Sequence, residues 1–191
     1  MANTSAPFGF RPVRSLNGAP ESGAVRRYKK EASVILAPGD PVVLTGSSEA
    51  VTGIPLITRA QGTEGTPTTI TGIVVAIEPV RTDLTKKHLA AADTGDVLVC
   101  DDPHMLFVIQ DDGVSDTPAV TDIGEAADLI VANANTTVGR SQVMIDGSDI
   151  GTGDQVQLLE FVQREDNEIG AYAKWLVRIN EHTYAAAGTI I

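Results

Sequence analysis

Aromatic side chains make up only 4% of this chain, and cysteine occurs once, as Cys100. A single thiol excludes an intrachain disulfide and any cysteine-based zinc site. With so few rings, a core must be assembled mainly from Val, Ile, Leu and Ala, and a sugar-binding shelf of stacked aromatics has little to draw on. Long apolar runs are also missing. The longest aliphatic stretch is Ile73 to Ile77, far short of the ~20 residues a membrane-spanning helix needs. The opening Met1-Ala2-Asn3-Thr4-Ser5 lacks the charged-then-apolar layout of a secretory signal, so folding in a reducing cytoplasm is expected. Without export, the glycosylation sequon Asn135-Thr136-Thr137 is a chance match.

Catalytic signatures are equally scarce. The histidines are His88, His104 and His182, and none has the His-Glu-x-x-His spacing that sets two imidazoles on one helix face around zinc. No Gly-x-Ser-x-Gly elbow exposes a strained serine, no Gly-Lys-Ser/Thr cradle awaits a phosphate, and no Gly-x-Gly-x-x-Gly opens a helix. His104 follows Asp101-Asp102-Pro103, where a turn between strands accounts for the residues more simply than a catalytic base. Acidic clusters at Asp111, Asp112 and Asp116, and at Asp146, Asp149 and Asp154, lack the closing Glu of a helix-flanked calcium loop and are expected to be plain turns. The expectation is no catalytic residue, no cofactor and no metal.

What is present is β-branched sequence punctuated by 18 Gly and 10 Pro. That composition builds short strands and many turns. Strand candidates are 24–30, 33–36, 42–44, 68–77, 97–100, 105–110, 129–131, 141–145, 155–162 and 174–180. In the strongest of them, Thr69, Thr71, Ile73, Val75 and Ile77 are expected on one side. Trp175 sits in an alternating stretch and is expected in a core or a subunit interface. A Gly-Asp pair leads into a strand at Gly39-Asp40, Gly95-Asp96 and Gly153-Asp154, as in a turn where Gly takes positive φ and Asp bonds the nearby backbone. Residues 46–65 are expected to form a surface loop. Residues 82–92 are the best helix candidate, and 124–128 a single helical turn. The fold class predicted is all-β, a β-barrel or β-sandwich with an extended N-terminal arm and at most one short helix. Residues 1–23 are assigned to the arm, whose Pro and Gly disfavour a helix, and 24–191 to a single β domain.

Charge divides further along, at residue 30. Residues 1–30 hold Arg11, Arg14, Arg26, Arg27, Lys29 and Lys30 against Glu21 alone, whereas the whole chain carries a formal −11. The remainder is therefore strongly acidic, which disfavours nucleic-acid binding. Within the arm, Phe8-Gly9-Phe10-Arg11-Pro12-Val13-Arg14 places two large rings where no fold is evident. Two destinations are open: the rings fold back on their own domain, or they anchor with Arg11 on another subunit.

Three segments carry a resemblance: residues 8–14, the central Asp101-Asp102-Pro103 with Leu106-Phe107-Val108-Ile109-Gln110, and the closing Ala171-Tyr172-Ala173-Lys174-Trp175-Leu176-Val177-Arg178-Ile179-Asn180. Together they resemble tailed-bacteriophage virion structural proteins of the capsid decoration, or cement, group. The resemblance implies a β-barrel or sandwich on the outer capsid surface of the virion, bound to the major capsid protein, often as a homotrimer or other small homo-oligomer. No nucleic-acid or membrane partner is expected, given the acidic body and the short apolar runs. On this reading Phe8, Phe10, Arg11, Arg14, Arg26 and Arg27 are the expected partner contacts. The competing readings are a carbohydrate- or receptor-binding β module of a phage tail or fibre, and a small β-barrel hydrolase gathering His104 or His182 with two carboxylates.

Overall fold

The computed structural model describes residues 3–18, 24–60, 69–114, 116–151 and 155–185. Its regular secondary structure is almost entirely strand, as composition predicts. The strands are β1 (Arg11–Ser15), β2 (Val25–Lys30), β3 (Pro41–Ser48), β4 (Pro55–Arg59), β5 (Gly72–Ile77), β6 (Asp96–Cys100), β7 (Met105–Gln110), β8 (Ala126–Ala127), β9 (Leu129–Ile130), β10 (Met144–Ile145), β11 (Val156–Phe161) and β12 (Lys174–Ile179). Strands β2-β4-β3-β5-β6 close into a five-stranded barrel, β1-β7-β12-β11-β8 form an open sheet, and β9 pairs with β10.

Two cores result, and they share walls. Tyr28, Leu36, Val42, Ile57, Val74, Leu89, Val97 and Val99 fill the barrel. A larger core under the open sheet contains Phe10, Ile73, Cys100, Phe107, Ile145, Leu158, Trp175 and Val177. Neighbouring residues on β5 (Ile73, Val74) and on β6 (Val99, Cys100) therefore face different cores. A strand buried on both faces needs continuous apolar sequence rather than alternation. This explains the run Ile73 to Ile77, and a bulge between Val74 and Ala76 further breaks the expected one-sided pattern.

The structure corrects several local expectations. Residues 82–92 form turns, not a helix. Asp83 accepts from the Thr85 amide at 3.1 Å and Asp93 from the Ala90 amide at 2.9 Å, side-chain bonds that favour turns over helix. The one-turn helix expected at 124–128 is replaced by β8, preceded by a short 3-10 turn at Val120–Asp122. The 46–65 loop contains β4, which pairs with both β3 and β2; residues 61–65 of it lie outside the described residues. The Gly-Asp mechanism holds at Gly39, with φ of 95° and the Asp40 carboxylate accepting from the Ala37 amide at 2.8 Å. Gly95 has no positive φ, and Gly153-Asp154 falls outside the described residues.

The arm is the largest correction. Residues 11–15 are a true edge strand, antiparallel to β7, and its flanking segment is tied down upstream. Gln110 donates to the Thr4 carbonyl at 3.0 Å and accepts from the Ala6 amide at 3.0 Å, while Asn3 donates to the Glu168 carbonyl at 2.6 Å. No alternation betrays β1, because Pro12 and a bulge between Pro12 and Arg14 interrupt it. Residues 19–23 of the predicted arm are not among those described.

Candidate partner-binding cleft

Where the N-terminal segment crosses the barrel, two backbones touch. Gly9 has φ of 68° and Gly39 φ of 95°. A Cβ on Gly9 would collide with the Gly39 carbonyl oxygen and the Ser141 side chain, and one on Gly39 would meet the Phe8 carbonyl. Only glycine fits both the dihedral and the approach. The Phe10 amide donates to the Gly39 carbonyl at 3.0 Å, and the Ser141 amide to the Pro38 carbonyl at 3.2 Å. This crossing delivers Phe10 into the sheet core, edge-on to Phe107 with ring centroids 5.7 Å apart. Phe8 remains in the wall of a cleft, with the Arg11 guanidinium 4.1 Å above its ring.

The expectation that Phe8 and Phe10 anchor on another subunit is therefore corrected. They are 8% and 2% exposed within their own chain, so neither offers a free ring. The physical reason is their own core: Phe107 supplies an apolar partner for Phe10 within the same chain. The four predicted arginines are exposed but dispersed. Arg14 lies 3.9 Å from Glu160, Arg26 donates to the buried Asp101 at 2.5 Å, and Arg27 pairs with Asp96.

Arg11 is different. It stands where two adjoining hollows meet, of ≈ 390 and ≈ 740 Å3, which share Phe8, Arg11, Pro12 and Arg140. Val25, Val74, Val75 and Cys100 give the smaller hollow an apolar lining. Val13, Val108 and Val162 carry apolar surface into the larger one, beside Arg164 and Lys174. Glu165 and Asp166 also line it, and the Asp166 carboxylate is shared by both of those cations, at 2.9 Å each. Among the described residues, Arg11 and Arg140 have no carboxylate partner. Burial, and then the charges of Arg140 and Arg164, push the Arg11 pKa down. Two guanidiniums without a carboxylate partner among the described residues thus line one cleft in a molecule of formal charge −11.

Sequence reasoning found Arg11 but missed Arg140 and Arg164. Arg140 comes from a tight turn in which Asn135 accepts from the Thr137 and Val138 amides at 3.0 and 3.3 Å and Gly139 takes φ of 67°. The sequon is thus a turn device whose Asn side chain already serves the backbone. Nothing local links that turn to residues more than a hundred positions earlier.

A second polar cluster lies between the barrel and the segment after β12. Buried Asp101 accepts from Tyr28 at 2.6 Å, Tyr28 meets the Tyr184 hydroxyl at 3.2 Å, and His182 accepts from the Tyr184 amide at 3.1 Å. Burial, then the bonds to Asp101 and Tyr184, raise the Tyr28 pKa, while burial lowers that of His182. Thr183, beside these groups, is fastened to the residues just before β5: its amide donates to the Ile70 carbonyl at 2.9 Å, and its hydroxyl meets that of Thr71 at 2.9 Å. Exposed His104 is held in a turn by the Asp102 carboxylate at 2.9 Å. Asp111, Asp112 and Asp146 likewise accept from nearby backbone amides. Among the described residues no group of three His, Cys, Asp or Glu side chains is placed to hold a metal ion.

Fold and cleft together define an all-β protein, with a closed barrel fused to an open sheet and a basic, apolar-lined cleft at their junction. No protein-family description, curated protein or solved structure matches the chain.

Proposed function

We propose that the protein is a non-enzymatic virion structural protein that decorates and stabilises an icosahedral phage capsid, binding the outer surface of coat subunits and neighbouring copies. The observation that carries this reading is a convergence. The three sequence segments that resemble decoration proteins supply β1, β7 and β12, which are adjacent strands of one sheet. Scattered likeness would have no reason to assemble this way; likeness in one structural unit has. An acidic molecule with a basic, apolar-lined cleft supports a protein partner, since phosphate backbones would be repelled by the rest of its surface. Weak individual contacts, repeated over a symmetric shell, add up to firm attachment by avidity.

The carbohydrate-binding alternative depended on an aromatic shelf. Trp175 is 0% exposed and Tyr28 2%, so those rings belong to the cores; Tyr184, 44% exposed, is a single ring under the Arg26 guanidinium and does not make a shelf.

The test is direct: purified protein is incubated with assembled heads lacking an outer protein, sedimented, and the pellet imaged by electron cryomicroscopy. Regular density on the outer surface of the shell is expected. Protein remaining in the supernatant, or placed only on tails, would sink the reading.

A further inference from the structure

The open sheet has two dissimilar edges. At one, β1 borders the cleft with its unpaired Arg11 and Arg140. At the other, the Val120–Asp122 turn leads into β8. That turn and the residues after it are apolar and acidic together. Val120 and Ile123 are 53% and 46% exposed, while Asp122 and Glu125 add negative charge between and beside them. Asp122 is occupied locally, accepting from the Ala119 amide at 2.8 Å. The exposed Glu125 has no cationic partner among the described residues. Five strands at roughly 4.8 Å spacing separate the edges by about 20 Å, so a copy's own turn is remote from its own cleft.

We propose that the cleft at the β1 edge receives the 120–125 turn of a second copy of this chain, giving head-to-tail association. Val120 and Ile123 of the incoming copy fill the apolar hollow against Val25 and Val75, and Glu125 meets Arg11 and Arg140. The two surfaces are complementary in shape-filling apolar contact and in charge. Each exposed aliphatic meets an apolar wall, and an unpaired carboxylate meets two unpaired guanidiniums that otherwise repel each other. A contact between unlike surfaces is heterologous: it closes into a ring if the rotation permits and propagates if it does not. This deepens the neighbouring-copy part of the function proposed above by naming both faces, and it is measured without heads, so its failure is separate from failure of capsid binding.

The experiment is sedimentation velocity of the full chain across a concentration and salt series. Self-association that weakens with added salt is expected. Arg140→Glu and Ile123→Asp, both at exposed positions, should each weaken it about tenfold or more, with circular dichroism melts confirming folded protein. The decisive variant is Arg140→Glu combined with Glu125→Arg in one chain, which should regain association lost by either change alone. A chain that stays monomeric at all soluble concentrations would overturn the proposal. So would an oligomer indifferent to Arg140→Glu and Ile123→Asp, or a double charge reversal that restores nothing.

Discussion

At the residue scale, the backbone crossing at Gly9 and the buried carboxyl at Asp40 are the most exacting positions. Gly9→Ala would place a Cβ against the Gly39 carbonyl and Ser141 at a φ that L-residues avoid. A loss of about 2–4 kcal/mol in urea unfolding is expected. Gly18→Ala is the control: its φ is 80° but a Cβ there meets open space, so only the dihedral cost of about 1 kcal/mol applies. Equal losses at both sites would show that the crossing is not tight. Asp40 is fully buried, and burial raises its carboxyl to about 6 despite the Ser141 hydroxyl, the Ala37 amide and the Arg59 charge. A raised carboxyl favours the folded state while it is protonated. Its stabilising contribution is therefore full below the unfolded value near 4 and is lost as pH rises through about 6. Asp40→Asn, neutral at every pH and able to keep the Ala37 bond, should flatten this dependence, gaining about 2–3 kcal/mol relative to wild type at pH 7. Denaturant midpoints at pH 4.5 and 7.5 measure it; parallel curves for the two proteins would refute the assignment.

At the element scale, the N-terminal segment behaves as part of the sheet. Phe10 is 2% exposed and packs edge-on to Phe107, so Phe10→Ala should cost about 3–5 kcal/mol, read as a lower unfolding midpoint. Removing residues 1–15 should do more than loosen a tail. It strips β1 from β7 and bares a core aromatic, and a chain with an unchanged melting temperature would contradict this. The same elements show what sequence can and cannot reveal. Strands bounded by turn residues, such as β6, β7 and β12, were legible because each is short, β-rich and punctuated. β4 was hidden inside a polar stretch whose pairing partners decide its state, and β1 by its proline and bulge. The helix expected at 82–92 failed because Asp83 and Asp93 side chains bond backbone amides locally. In the cleft, Arg11 was visible as part of a basic segment. Arg140 was not, because only the tertiary crossing of Gly9 over Gly39 and Ser141 brings the two together.

At the scale of the whole molecule, the shared walls decide how the protein unfolds. β5 and β6 belong to the barrel by pairing, yet Ile73 and Cys100 point into the sheet core while Val74 and Val99 point into the barrel. Neither core can open without exposing a strand that the other needs, so the two are expected to unfold as one cooperative unit. Trp175, the only tryptophan, is fully buried in the sheet core and reports that core alone by fluorescence. Ile57 is fully buried on β4 in the barrel core. Ile57→Ala should cost about 2–5 kcal/mol, and if the walls couple the cores, the fluorescence of a distant Trp175 must register that loss in full. Its urea midpoint should shift as far as the midpoint seen by far-ultraviolet circular dichroism. A fluorescence transition left in place while the dichroism splits into two steps would mean that β5 and β6 can part from one core while keeping the other, and cooperation through shared strands would be disproved.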